Sequence, residues 1–457
     1  MIVFLLIYIS VFLYSIYNIL NNKIAHVVTF IIFALPIYIT SMSVAVLFNV
    51  DFVVPYIQFS KEILVLIAFT ILLLKNKVRF NITRFDKIII SYLVLIFLYT
   101  LFPIGPNSLY QRIVAMKSIA FFPIVYFVGR LIPAEKINLN KFFRYVCIVS
   151  MFAAIVILIE VFNNQHLQAS TGYAQFILKY FNQYPSGHFG LSWTFETDNG
   201  LKRYASFFSM PLENAAATLV TISVLFSLAI TDWNKLKLDK YLYLTLIATC
   251  ILILYAISRA SLVSFLLIIY FFTIISKNSL LRKILNYLFA CIIIVFLVSL
   301  NGNIKDFILS SLLFTNSSSL THLVAWSESI SSMFYHPFGI GMGTSGNVAN
   351  ATNVSIGGEN QFFIIAMQAG IIPMFIYAYL YYYIIVISKT AFEKYSGKIK
   401  KLALFVFLVK IGLFIPMLTS EIESYIYISY FTWFFSGYLI NLISNNNVLI
   451  NVEQESN

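Results

Sequence analysis

The chain has 457 residues, 60% of them hydrophobic and 11% charged, with a mean hydropathy of +0.87 and a formal net charge of +12. Soluble domains hold about 45–50% apolar and about 25% charged residues, so a soluble globular fold is excluded and a polytopic membrane protein is expected. In a soluble protein such a basic excess would point to nucleic acid; in a membrane protein it records which loops face the cytoplasm, and no nucleic-acid partner is expected.

Apolar runs long enough to cross about 30 Å of hydrocarbon fall at 2–20, 26–49, 56–74, 87–105, 116–133, 142–162, 205–231, 241–257, 260–276, 284–300, 361–388, 402–418 and 424–443. They predict an all-α fold of about 12–13 transmembrane helices: N-terminal helices in 1–162, central ones in 205–300, C-terminal ones in 361–443 and a cytoplasmic tail over 444–457. The opening MIVFLLIYIS has no basic flank and no obvious small-residue cleavage site, which favours a retained first span over a removed signal peptide. Cys147, Cys250 and Cys291 all lie in apolar stretches, so neither a disulfide framework nor a thiolate metal site is expected.

Basic clusters recur at every second junction: Lys75/Lys77/Arg79/Arg84/Lys87, Arg130/Lys136/Lys141/Arg144, Lys235/Lys237/Lys240, Lys277/Arg282/Lys283 and Lys389/Lys394/Lys398/Lys400/Lys401. The positive-inside rule makes these junctions cytoplasmic and the intervening ones external. The side of the N-terminus depends on whether the first two runs each span fully. Two external segments are long, 163–204 and 301–360. The second contains SSSLTHLVAWSESISSMFY, with Leu323, Val324, Trp326, Ile330, Met333 and Phe334 at helical spacing. An amphipathic helix at the outer interface is expected over 318–335, stopping at His336-Pro337 before the glycine-rich turn Gly339 to Gly343.

Several charges are not explained by orientation. Arg259 lies roughly 25 Å along a helix from the cytoplasmic Lys240, at a tight external junction; it either snorkels to headgroups or faces an outer cavity as a fixed cation. Arg203, beside Lys202, ends the first long external segment, and Arg112 is a further candidate contact. Glu359, next to Asn360, heads a span, where the helix dipole alone would favour an acid. His322 and His336 sit in the second long segment. Lys410 falls mid-span, where an ionisable group needs a partner or a wet path; Glu421 and Glu423 are candidates, which spacing does not separate. Two arginines suit pyrophosphate oxygens, and a nearby carboxylate can accept a proton from a hydroxyl. Together they describe glycosyl transfer from a lipid pyrophosphate to an alcohol without a metal. Glu196-Thr-Asp198 is a weak three-residue match to a metal-binding acidic pair.

The order RYASFFSMPLENAA, SRAS, His322-x3-Trp326, HPFGIGMG, Glu359-Asn360 and QAGIIP, across about residues 200–380, resembles the O-antigen ligase/polymerase superfamily. The resemblance implies a GT-C-like inverting glycosyltransferase of the inner membrane. It would use undecaprenyl-pyrophosphate-linked oligosaccharides at its periplasmic face, with no cofactor, and a membrane chain-length regulator could accompany it. It carries pyrophosphate contact onto Arg203 and Arg259; the reading of the residues adds Glu359 as general base and His322 as a further catalytic candidate, with Asn360, Trp326, His336, Lys202 and Arg112 as substrate-binding candidates. The family commonly has arginine where this chain has His322. An acid before Asn360 is the polymerase pattern, whereas ligases usually carry histidine there, so a repeat-unit (Wzy-type) polymerase is favoured. The alternatives are a ligase acting on lipid A core and, from another class, a precursor transporter or flippase using a midplane site near Lys410. Trp193 and Trp326 are candidate sugar-stacking rings.

Overall fold

The computed structural model describes residues 1–75, 81–102, 104–197, 200–231, 236–277, 283, 286, 317–349 and 359–455. Among them the only secondary structure besides helices is two isolated β-bridges, Glu196 to Lys202 and Ile230 to Leu236. In chain order the helices are α1 (Ile2–Leu20), α2 (His26–Phe33), α3 (Tyr38–Leu47), α4 (Val54–Lys75), α5 (Arg84–Leu101), α6 (Leu109–Ala120), α7 (Phe122–Leu131) and α8 (Leu139–Phe162). Short α9 (Leu167–Ser170) and α10 (Tyr173–Phe181) occupy the first long segment, followed by α11 (Pro211–Ala229), α12 (Lys240–Ala256) and α13 (Arg259–Ile275). Then come α14 (Ser317–Tyr335), α15 (Gln361–Ala369), α16 (Ile371–Lys394), α17 (Gly397–Thr419) and α18 (Ile426–Glu455).

Among the described residues, eight helical stretches are long and apolar enough to cross a membrane, or nine if the bent pair α6/α7 is one span. This is a multi-pass membrane protein. The shortfall against thirteen apolar runs has identifiable causes. α5 opens with Arg84, Asp86 and Lys87, which spoil its apolar window. α12 and α13 are each 17 residues long. The run at 116–133 is bent by 49° between α6 and α7, and 284–300 lies outside the described residues.

The basic junctions gather at one end of the bundle. Lys75 and Lys136 both donate to Asn22, Tyr241 donates to the Arg144 carbonyl at 2.6 Å, Ser227 to the Lys401 carbonyl at 2.6 Å, and Lys398 to the Ala134 carbonyl at 2.7 Å. At the opposite, loop end lie Asp51, which pairs with Lys179 of α10, and the 163–210 and 336–349 segments. Because Asn22 follows α1 and joins the basic end, α1 begins at the loop end, which settles the relation of the first span to the rest.

Buried acids fasten these elements. Asp86 is fully buried; it accepts from Thr83 N–H and Oγ1 at 2.8 Å, forming a capping box, and from Tyr126 at 2.6 Å, with Arg130 Nε at 3.4 Å. α7 and α18 then cross on glycine. A Cβ on Gly129 would stand 2.0 Å from the Phe434 carbonyl oxygen, and one on Gly437 would stand 2.0 Å from the Tyr126 oxygen. Small residues are what let two backbones approach this closely inside a membrane. Either Gly129→Ala or Gly437→Ala forces the pair apart, and overpacking of this kind costs about 1–3 kcal/mol. Both variants should lower the detergent-solubilised melting temperature, while Gly397→Ala, whose Cβ position is open but whose φ is +59°, should cost less.

Candidate functional site

The segment carrying Arg203 is bound down residue by residue at the loop end. Arg203 N–H donates to the Phe195 carbonyl at 2.8 Å, and Tyr204 N–H donates to the Tyr255 carbonyl at 3.0 Å. Tyr255 stands in the last turn of α12, four residues before Arg259, and its ring meets that of Tyr204 edge-on at 6.0 Å. The two arginines are thereby brought to one neighbourhood from separate parts of the chain. Both are half-buried, and both have interactions with other groups. Ser258 caps α13, so Arg259 is its first residue; Ile257 before it takes a left-handed turn, φ +45°. That turn reverses the chain with almost no loop.

Two acids that sequence reasoning passed over hold the 203–210 segment. Glu160, at the end of α8, accepts from Leu167 N–H at 2.8 Å and Ser206 N–H at 3.0 Å. Glu213 accepts from Ser209 N–H at 3.0 Å and Ser209 Oγ at 2.5 Å. Gln168 Nε2 donates to the Ser206 and Phe208 carbonyls, and Thr40 of α3 donates to the Phe207 carbonyl at 2.7 Å. A single acid inside or just beyond an apolar run was the available signal.

The glycine-rich turn is locked backbone to backbone. A Cβ on Gly341 would stand 2.3 Å from the Ile104 oxygen, and one on Gly339 would stand 2.7 Å from the Gly370 nitrogen. Asn107 Nδ2 donates to the Met342 carbonyl at 2.8 Å, and Gln368 bridges the Gly343 N–H and the Ser345 carbonyl. Helix α14 runs 317–335 and stops at His336-Pro337, as its sequence predicts.

Glu359 immediately precedes Asn360, whose side chain caps α15 by accepting from Phe362 N–H at 2.9 Å and Phe363 N–H at 3.3 Å. The Glu359 residue keeps surface open to solvent, yet the protein around its carboxyl raises it above the ordinary carboxylate range, with His322 of α14 opposing the rise. Trp326, one turn beyond His322, packs edge-on against Phe363 at 6.3 Å. The loop 420–425 completes this corner. Buried Glu421 accepts from Asn347 N–H at 2.7 Å through Oε2. Burial, then the charges of Glu359 and Glu423, push its carboxyl up to about 7 against the Asn347 hydrogen bond. Tyr425 feels the charge of Glu359 and directs its hydroxyl to Met210 Sδ at 3.9 Å, linking this corner to the end of the Arg203 segment.

Other predicted residues are engaged elsewhere. Arg112 Nη1 donates to the carbonyls of Thr100, Leu101 and Phe102, closing the C-terminus of α5. Lys202 donates to the carbonyl and side chain of Asn164, and its ammonium lies 4.8 Å from the Phe189 ring centre. His336 is exposed and lines a shallow depression with Ser327, Glu328, Ser331, Ser332 and Tyr335. Glu196 accepts from His188 N–H and pairs with its ring Nδ1, both at 2.8 Å, while Asp198 lies outside the described residues. Trp193 is exposed, edge-on to His188. Lys410 is buried over the Trp433 ring, 3.6 Å from its centre, and donates to Thr432 at 3.4 Å. The indole N–H donates to Glu423 at 2.8 Å, so one aromatic ring meets the lysine with its face and the acid with its edge.

No protein-family model matches the chain, and no curated protein matches it.

His166, missed in sequence, is buried among Phe189, Phe195 and Tyr204. Burial, reinforced by Lys202 and opposed by Glu196, lowers its imidazole to about 4. A histidine whose folded value lies below its unfolded 6.5 leaves the fold at full stability above 6.5 and weakens it as pH falls towards 4. Proteolysis of the 163–204 segment should therefore accelerate as pH falls through that window, measured with an acid-active protease, and His166→Phe should flatten the response.

Proposed function

We propose that the protein is a GT-C-like repeat-unit polymerase of the bacterial inner membrane, with the loop end facing the periplasm. It transfers a glycan from undecaprenyl pyrophosphate to a hydroxyl of a lipid-linked repeat unit. The observation that carries the reading is the pinning of Tyr204 to Tyr255, which joins the Arg203 and Arg259 segments at the same end of the bundle as Glu359.

The acceptor oxygen attacks the anomeric carbon, the bond from that carbon to the phosphate oxygen breaks, and the electron pair leaves on the lipid pyrophosphate. Glu359 receives the hydroxyl proton, and inversion follows from attack opposite the leaving group. Arg203 and Arg259 carry permanent charge and suit the growing negative charge of the departing pyrophosphate. His322, where the related pattern has arginine, acts on the charge of Glu359. A raised Glu359 carboxyl is a stronger base than an ordinary one, and it must be deprotonated to act.

Arg203→Ala, Arg259→Ala and Glu359→Gln, each expressed in a strain lacking the endogenous gene, should abolish long surface-polysaccharide ladders on a gel and leave core capped with one repeat unit. Removing a transition-state charge partner costs about 100-fold or more. Persistent ladders at normal protein levels would sink the assignment; bare core with accumulated lipid-linked polymer would indicate a ligase. With purified protein, the acid limb of the rate against pH should lie above the ordinary carboxylate range, because Glu359 loses its activity by protonation there.

A further inference from the structure

An ion cluster lies away from the site described above, inside the N-terminal helices. Glu62 of α4 binds two lysines through one oxygen: Lys61 Nζ at 3.0 Å and Lys117 Nζ of α6 at 2.9 Å. It sits eight residues past Val54, about 12 Å along the helix. Ionisable groups at such depth are expensive and mark functional sites by default. Two cations for one carboxylate leave an excess positive charge that structural pairing alone does not require, and the second oxygen of Glu62 is buried without a hydrogen-bond partner.

The two lysines are differently placed. Lys61 is buried and fixed, donating to the Tyr38 hydroxyl at 2.8 Å and the Gln58 carbonyl at 2.6 Å. Lys117 keeps 30% of its side chain open and lies 4.9 Å from the centre of the Phe59 ring, itself exposed. The helix that carries Lys117 is also set apart. α7 packs along α4, but α6 is bent from α7 by 49° and packs on α5, where Tyr92 donates to the Ile119 carbonyl. α6 thus takes a course of its own beyond α7, and Lys117 ties it to Glu62 of α4.

We propose that Lys117 and Glu62 latch a lateral cleft between α4 and α6, and that the phosphate head of a membrane-resident isoprenoid lipid opens it by taking Lys117 from Glu62. Lys61 explains how the latch can open inside a membrane. A carboxylate stripped of its partner would be an uncompensated buried charge, but Glu62 keeps its neighbour as counter-ion while Lys117 exchanges one oxyanion for another. A phosphate oxygen makes the same kind of charge-assisted contact as the carboxylate it replaces, and the exposed apolar side chains of Phe59 and Ile63, beside Lys61 and Glu62, and of Ile113, one turn before Lys117, suit the tail. This rests on the glycosyl-transfer reading only for the identity of the lipid.

The test is binding of geranylgeranyl pyrophosphate to the full-length protein in phosphatidylcholine nanodiscs, titrated by calorimetry. Lys117→Gln should raise Kd about tenfold or more, the loss of one charge-assisted contact, and Lys117→Arg should restore binding. Glu62→Gln should leave Kd unchanged or lower it, because it frees Lys117. Opposite directions for the two variants exclude general damage, which would weaken both. Lys117→Gln binding like wild type would overturn the proposal, and so would Glu62→Gln weakening in step with it, or inorganic pyrophosphate competing as well as the lipid. The readout involves no polymer: ladders persisting in the arginine and Glu359 variants would sink the polymerase reading and leave the latch standing.

Discussion

A carboxylate that cannot reach water must find its donors inside the protein, and that requirement organises this bundle. In hydrocarbon an unmet polar group costs several kcal/mol, so each buried acid becomes a fixed point to which other segments are tied. Asp86 joins the start of α5 to α7, Glu160 joins the end of α8 to the Arg203 segment, and Glu213 fastens that segment to α11. Glu423 gathers Tyr377, Ser429 and Trp433 around itself and takes the Gln361 side chain through its own N–H donor. Removing Glu160, Glu213 or Glu423 therefore frees a segment at the loop end, and removing Asp86 frees one at the basic end.

The same logic shows why the N-terminal helices are not a passive half. The motifs that suggest a family lie between about 200 and 380, and the first 162 residues offer only a compatible pattern of spans. In three dimensions the motif segments rest on that half: Phe207 on Thr40, Ser206 on Ala153 and Glu160, Met342 on Asn107, and Gly341 against Ile104 and Gly105. Close backbone approach at Gly341 leaves no room for a side chain on either partner. A short degenerate motif can thus be demanding because its counterpart lies more than two hundred residues away.

What the sequence made legible was whatever is written in period and sign. Apolar runs, basic junctions, the helix expected at 318–335 and its stop at Pro337 all depend on local composition: eight of the thirteen runs appear as spans among the described residues, and the helix is found over 317–335 with its stop. What it hid depends on partners brought from afar. Asn360 and Arg112 read as ligand-binding polar residues, yet Asn360 is occupied capping α15 and Arg112 closing α5, uses that spacing cannot reveal. Lys410 was expected to choose between Glu421 and Glu423, but the group it meets first is an aromatic face, and Trp433 carries no charge to betray the pairing. The bend between α6 and α7 had a local signal that the apolar run 116–133 masks, since Pro123 stands at the second position of α7. The Lys61-Glu62 pair was visible within the run at 56–74; what gives it meaning is Lys117, fifty-five residues on.

The loop-end corner combines these constraints into a chemical asymmetry. Glu359 and Glu421 repel each other's charge, and burial raises both; His322 opposes the rise at Glu359, and the Asn347 N–H opposes it at Glu421, whose carboxyl is still pushed up to about 7. A proton arriving at Glu359 therefore has a second carboxyl nearby with affinity for it at neutral pH, one oxygen of which has no other partner. Two carboxyls with unequal environments are how a site separates the group that takes a proton from the group that keeps it. Here the turn at Gly346 and Asn347 folds over Glu421, and the Asn347 N–H tempers the proton affinity that burial raises, so the glycine-rich segment bears on the proton affinity of the corner as well as on its shape.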